Sequence, residues 1–396
     1  MLIIDLSYCA ANGDGRTFHG GGHYGYSAAR YIVSKSKEEI AVLVQPGFDI
    51  RTVGLDVNQV TVMEKKSERL PYEYDRYENI LFLPLPYLYI ENFALPKKAR
   101  VWATVHGLRN LELARLLSQS ITINLNEDRR GIKGIVDVLR SIKRYRMRSV
   151  SYENELKKIS QYRDFILNGN RILTVSEHSK WTLELLEVVG EKDNSIHVAY
   201  PLHPFEDKSL ELAGERTGAR KGVLSLSVER REKNFTKLLE AIEKSQVLRR
   251  NVKKEGLMIT GRPEAVSALT SNIKDIEITN LGYCSDNELI AVFQRASVLV
   301  YTSINEGFGI PPVQAFRAGT PVLASPVTSI AEICGDAAIY ANPFDYGEIA
   351  NRLLMLLSCS KMRLSQAEKG YARYEELRRK AYNDWDYFLK SEGVIR

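Results

Sequence analysis

Short apolar runs alternate along the chain with stretches of helical period, and that alternation predicts strands of parallel, helix-covered sheets. In the first half the runs are Leu2 to Leu6, Ile40 to Val44, Ile80 to Leu83, Val101 to Val105, Ile172 to Val175 and Ile196 to Ala199. The pattern starts afresh with Val223 to Val228, Leu257 to Thr260, Val298 to Tyr301, Val322 to Ala324 and Ala338 to Tyr340. Between the two series, Tyr200 to Lys221 places Pro201, Pro204, Gly214 and Gly218 among charges with no apolar period, and reads as a linker. Helix starts in the second half carry caps: Ser285 with Glu288, and Asp345 with Glu348. From Gln366 onward the chain is helical and charged. Tyr382, Trp385, Phe388 and Leu389 fall there at three- and four-residue spacing, an apolar stripe that should dock, on the first domain if the helix crosses back. The expected organisation is α/β, with Rossmann-like domains over residues 1–200 and 201–375 and a final helix over 376–396.

Length supports that division, since 396 residues exceed one ordinary core. Two domains also imply a cleft, here expected between the facing sheets. Hydrophobic residues at 44% and charged residues at 26% fit a globular chain. The net charge of +6 suits phosphate-bearing ligands but falls short of a nucleic-acid footprint, so no nucleic-acid partner is expected. Cys9, Cys284, Cys334 and Cys359 are scattered without metal-ligand spacing, which fits a reducing, cytoplasmic setting. The longest apolar stretch, Ile80 to Ile90, is broken by Pro84 and Pro86, so neither a membrane span nor a signal peptide is expected. Arg129 to Arg148 is basic and amphipathic; it reads as a solvated helix face, with peripheral contact to the inner face of an anionic membrane as the alternative.

The sharpest local pattern is Asn305-Glu306-Gly307-Phe308-Gly309-Ile310-Pro311-Pro312-Val313-Gln314-Ala315, directly after a strand. Gly307 and Gly309 let backbone approach a ligand closely, and the prolines suit the first turn of a helix whose N-terminus favours an anion. Glu306 and Gln314 can then face one cleft at the carboxyl end of that strand. Gly319-Thr320-Pro321-Val322 follows. Together these segments resemble the glycosyltransferases of family 4, which have the GT-B fold and carry a Glu-x7-Glu motif in the same setting. The resemblance implies that Glu306 contacts the transferred sugar and that Gln314 meets the ribose of a nucleotide. At the second position this chain has an amide where the family has a carboxylate, which keeps an acceptor but loses the charge.

Ser227-Val228-Glu229-Arg230-Arg231-Glu232-Lys233-Asn234-Phe235 is a second strand-to-helix passage, with Asn234 the expected N-cap. It is similar to the family's R-x-x-K-N pattern, which implies that Arg230 and Lys233 grip the diphosphate; Arg231 competes with Arg230. In the first half, Gly20-Gly21-Gly22-His23-Tyr24-Gly25 and Val105-His106-Gly107 are read as strand-end loops. They resemble the family's glycine loop, which places Gly21 and Gly22 near the donor phosphates, and its histidine near the donor sugar, which is His106. The family's residue after that histidine is Asp, and here it is Gly107. Ser176 fits either a family segment or a plain N-cap. Gly282-Tyr283 resembles the stretch that meets the nucleobase, and Gly307, Phe308, Gly309 and Ile310 complete the donor-binding set. Asp384-Trp385-Asp386 spells a metal-binding D-x-D, but residues two apart on a helix point to nearly opposite sides, so no metal and no other cofactor is expected.

The resemblance thus implies a retaining transfer of a mannose-, rhamnose- or glucose-type hexose from a UDP-, GDP- or dTDP-sugar to a saccharide or lipid-linked saccharide, in the synthesis of bacterial surface polysaccharide. Lys233→Ala is expected to cut turnover sharply with folding intact. Two other readings stay open. One is a non-catalytic nucleotide-sugar binding protein, prompted by Gln314 and Gly107. The other is a dinucleotide oxidoreductase, prompted by the G-x-G-x-x-G of Gly20 to Gly25, although that run lies far after the first strand and the second strand ends at Gln45-Pro46 without a ribose-binding acid.

Overall fold

The computed structural model describes residues 1–11, 17–18, 20–65, 80–85, 99–107, 159–186, 188, 194–206, 220–271, 273–282 and 284–396. The basic stretch 129–148 and Tyr283 lie outside the described residues. The chain forms two compact units, Met1–His203 with Asn383–Arg396, and Pro204–Tyr382.

The strands of the first unit are β1 (Leu2–Asp5), β2 (Ala10–Ala11), β3 (Thr17–Phe18), β4 (Ile40–Val44), β5 (Thr61–Glu64), β6 (Ile80–Leu83), β7 (Arg100–Val105), β8 (Arg171–Thr174) and β9 (Ile196–Val198). Seven of them make one sheet in the order β5-β4-β1-β6-β7-β8-β9. Every pairing in it is parallel, with Ile3 opposite both Ala41 and Leu81. The central strands β1 and β4 are buried along their whole length and β7 at every position but Arg100, so their sequences are mostly apolar runs rather than alternating ones. The edge strand β5 is mostly exposed, and its Thr-Val-Met-Glu gives no such run, so the apolar pattern alone does not predict it. The short antiparallel pair β2 and β3 is likewise not predicted.

The second unit holds β10 (Val223–Ser225), β11 (Leu257–Ile259), β12 (Ile278–Asn280), β13 (Val298–Tyr301), β14 (Val322–Ala324) and β15 (Ala338–Tyr340), in the order β12-β11-β10-β13-β14-β15 and all parallel. From β10 the chain builds outward through β11 and β12, then jumps back across β10 to β13 and builds the other way. The boundary between β10 and β13 is therefore the topological switch point, where loops leaving the carboxyl ends diverge and open a crevice.

Helix ends follow the local chemistry. Ser285 and Glu288 form a reciprocal capping box. Asp345 accepts from the amides of Gly347 and Glu348, whereas Glu348 turns back to the amide of Asn342. Ser176 accepts from the amide of Ser179, which is an N-cap. The C-terminal helix, Ser360–Ser391, begins in the second unit and ends in the first. Its last turns bury Trp385, Phe388 and Leu389, with the Phe388 ring edge-on to Trp102 at 4.7 Å and the Trp385 indole donating to the Tyr200 carbonyl at 3.0 Å. Asp386 of the D-x-D is used structurally, accepting from the Tyr31 hydroxyl at 2.6 Å. Among the described residues no helix is long and apolar enough to cross a membrane.

The glycine run departs from expectation. Gly20 to Gly25 is not a loop but the opening of the helix Gly20–Lys35. Glycine is a poor helix former, and here close packing overrides propensity: a Cβ on Gly22 would lie 2.0 Å from the Cys9 carbonyl oxygen, and one on Gly25 would lie 2.5 Å from the Cys9 sulfur. The run lets a helix press against the segment after β1.

Candidate active site

Two loops of the second unit meet at the switch point. The first leaves β10, passes through the 3-10 turn Arg231–Lys233 and enters the helix Phe235–Lys244. The second leaves β13 and enters the helix Ile310–Arg317. Backbone and side chains stitch them together. The Glu232 carbonyl accepts from the Ile304 amide at 2.8 Å and from the Ser303 hydroxyl at 3.0 Å. Asn234 donates to the carbonyls of Thr302 at 3.2 Å and Pro343 at 2.7 Å. Asn234 thus occupies the N-cap position but caps nothing with its side chain: it sits in the left-handed region at φ 57° and bridges the loops instead. Asn234→Gly should keep the backbone and lose the bridge, whereas Asn234→Ala loses both. Melting temperatures should therefore fall in the order wild type, Gly, Ala, with the Ala variant less stable by about 2 kcal/mol.

This scaffold brings together two of the residues chosen from sequence. Lys233 and Glu306 are both buried, and the ammonium donates to Glu306 Oε1 at 2.5 Å. Ser303 donates to the same oxygen at 2.5 Å, while Lys233 also reaches the Tyr301 hydroxyl at 3.2 Å and lies 4.9 Å from that ring's centre. Burial pushes the Glu306 carboxyl up, but the Lys233 charge and the bonds from Lys233, Ser303 and Tyr301 outweigh it and hold the group below the ordinary carboxylate range. The pair is a charged, hydrogen-bonded device held in place from several sides. Ser329 donates to the carbonyls of Glu306 and Phe308, and the Glu306 amide donates to Thr328.

Arg230 lies on the same loop, half exposed and ion-paired with Glu232 two residues on, and Arg231 is exposed. Gly309 sits at φ 103° with nothing within 4 Å of where a Cβ would be, so the chain there faces open space. The helix it introduces has no side-chain cap. Pro311 and Pro312 supply no N–H, which leaves the Ile310 amide as the first helical donor. Gly307 and Phe308 are buried; Gln314 is half-buried, one turn into the helix. Cations on one loop and a helix N-terminus on the other make a place for an anion.

The remaining candidates lie in the first unit. His106 follows β7, where its Nε2 donates to the Pro84 carbonyl at 2.8 Å and its ring meets Tyr24 edge-on at 4.9 Å. Gly107 has φ 124°, a conformation that an aspartate there would adopt only under strain. Gly21 and Gly22 belong to the helix described above.

Sequence reading missed the supporting residues: Tyr301, Ser303, Thr328 and Ser329. No local pattern marks them, because what they share is contact with one carboxylate and its backbone. One further signal is visible only in the fold. Among the described residues the three non-glycine positions with positive φ are Ser227, Asn234 and Thr328, and all three border these loops. Strain gathered in one place accompanies function.

Residues 214–373 match the family "Glycosyl transferases group 1". A 93-residue stretch is 38% identical to the O-antigen chain mannosyltransferase RfbU of Salmonella typhimurium, covering 22% of this chain and 26% of that protein. The match thus spans about a quarter of the relative's length. HepE of Anabaena, whose crystal structure contains UDP and glucose, superposes with a TM-score of 0.66 at 11% identity over 100% of this chain and 99% of its own. WaaG, a glycosyltransferase involved in lipopolysaccharide biosynthesis, gives 0.57 at 13% identity over 96% and 95%. The fold is α/β of the GT-B type, and the stretch that matches the glycosyltransferase family lies within the second unit.

Proposed function

We infer that the chain transfers a hexose from a nucleoside-diphosphate sugar to a saccharide hydroxyl, with retention, in the assembly of a bacterial surface polysaccharide. The observation that carries this reading is the buried Lys233–Glu306 pair at the switch point of the second sheet. Its chemistry suits the leaving group. Departure of a nucleoside diphosphate builds negative charge on the β-phosphate, and Lys233, Arg230 and the Ile310 amide stabilise that charge without reorganising, a preorganised effect that is usually large. Glu306, held ionised, accepts hydrogen bonds from sugar hydroxyls and orients the anomeric carbon. Gln314 takes the ribose. His106, on the first unit, is the candidate for positioning the donor sugar, and Gly21 and Gly22 are the candidates for its phosphates. No step in this scheme calls for a metal.

The likeness to an O-antigen mannosyltransferase supports a mannose-type sugar and a surface polysaccharide as product. The test is a thermal-shift screen of UDP-, GDP- and dTDP-sugars, followed by product analysis with the stabilising donor. A bound donor raises the melting temperature by mass action. Stabilisation with donor consumption is the expected result. Stabilisation without consumption in the presence of saccharide acceptors would favour the non-catalytic reading prompted by Gln314, and no stabilisation by any nucleotide sugar would overturn the proposal.

A further inference from the structure

On the far side of β10 from Glu306 lies a carboxylate that the scheme above does not use. Glu229 follows β10 by four residues, in a segment pinned to the neighbouring strand: the Ser227 amide donates to Thr260 Oγ1 at 2.8 Å and the Val228 amide to the Thr260 carbonyl at 3.0 Å. The chain is thereby delivered against Gly261. A Cβ on Gly261 would come within 2.8 Å of Glu229 Oε2, so only glycine there leaves the carboxylate its position. That oxygen is buried and accepts no hydrogen bond among the described residues. A buried acceptor without a donor costs free energy, and because the Glu229 residue is only half-buried a small swing of its side chain presents both oxygens to an outside donor.

The surroundings are built to receive one. Asn280, at the end of β12, donates to the Gly261 carbonyl at 3.2 Å and accepts from the Gly282 amide at 3.0 Å, joining the loops after β11 and β12 into one floor. Gly282 has φ 64° and open space where a side chain would stand. Strands in a sheet are spaced by about 4.8 Å, so this floor, two to three strands away, lies roughly 10 to 14 Å along the carboxyl edge from the loop of Glu306. A nucleoside diphosphate whose phosphates meet Lys233 and Arg230 extends over that span and puts its base here.

Resting on the reading that the second unit holds a nucleoside diphosphate, we propose that Glu229 reads the base and that the base is guanine. A carboxylate only accepts. Guanine offers two donors side by side on its Watson–Crick edge, N1–H and the 2-amino group, which meet both carboxylate oxygens. Uracil and thymine offer one N–H flanked by two carbonyl oxygens, which a carboxylate repels. Adenine offers an amino group beside an acceptor nitrogen. Glu229 therefore selects for one base and against the others, the combination that specificity needs.

Calorimetric titration of the full chain with GDP, UDP and ADP tests this. Wild type should bind GDP at least ~10-fold more tightly than UDP or ADP. Glu229→Gln should weaken GDP by ~10- to 100-fold and change UDP by no more than about threefold. The variant should melt no lower than wild type, since the buried oxygen it alters has no hydrogen bond to lose, so loss of binding will not reflect loss of fold. Gly261→Ala, whose methyl displaces the carboxylate, should lower the preference in the same direction. Equal binding of GDP and UDP by wild type, or equal weakening of both by Glu229→Gln, overturns the base assignment and leaves the nucleotide site standing. Failure of all three diphosphates to bind, together with failure of every nucleotide sugar to stabilise the chain, overturns both.

Discussion

Lys233→Met is expected to cut transfer by ~10²- to 10³-fold, the usual loss when one preorganised donor to a developing anion is removed. It should also destabilise the second unit, and there the structure revises the sequence expectation that folding stays intact. Lys233 is the buried partner of a buried carboxylate. Removing one member of such a pair costs about 3–5 kcal/mol at neutral pH, because the other charge is left in a poor solvent. The pH dependence gives the loss its signature. In the wild type Glu306 is held below the ordinary carboxylate range, so it contributes stability above about pH 4.3 that disappears as pH falls through the lowered value. Without Lys233, burial dominates and raises the Glu306 carboxyl; the variant then loses stability as pH rises above about 4.3. Wild type and variant should converge in acid and separate at neutrality in denaturant titrations. The double variant Lys233→Met/Glu306→Gln, with no buried charge left, should recover much of the stability and none of the activity. A single variant that keeps normal turnover would remove Lys233 from the mechanism.

What could be read in advance divides along physical lines. Strands buried on both faces are continuous runs of mostly apolar residues, and β1, β4, β10, β13 and β14, buried at every position, declare themselves that way. Two of the four edge strands, β5 and β12, do not: partly wetted and short, they carry Thr-Val-Met-Glu and Ile-Thr-Asn, whereas the edges β9 and β15 still begin on apolar residues. The glycine run misleads because propensity is a property of the run alone, whereas the contact that needs Gly22 is with Cys9, in the segment after β1. At the site, Glu306 and the glycines around it are legible because a strand, a tight turn and a helix start impose composition in sequence order. Lys233 is legible only as a charge beside a helix start. Its ion pair joins positions 73 residues apart, and the bridge made by Asn234 joins positions 68 and 109 apart. The switch point itself is a property of strand order, which no local pattern contains.

Glu392→Gln is expected to lower the melting temperature more than any other single carboxylate-to-amide change in the first unit, while leaving nucleotide binding unaltered. The carboxylate, 3% exposed, accepts from Arg100 at 2.7 Å, Arg171 at 2.9 Å and the Trp102 indole at 3.1 Å. These partners stand on β7 and β8, so one side chain ties the end of the C-terminal helix to two strands of the sheet. An amide accepts at one atom only and turns donors toward donors. Hydrogen bonds to a charged group contribute about 1.5–3 kcal/mol each, and the fully buried Trp102 has no water to replace its partner. A loss of about 3 kcal/mol follows, or roughly 6–12 °C in a unit of this size. Burial alone would push the Glu392 carboxyl up, but the bonds from Arg100, Arg171 and Trp102 and the Arg171 charge together hold it down. The stability it contributes is therefore complete above about pH 4.3 and fades as pH falls. The gap between wild type and variant should be widest near neutrality and close in acid. A gap of the same size at every pH would mean that lost packing, rather than the ionised carboxylate, anchors the helix.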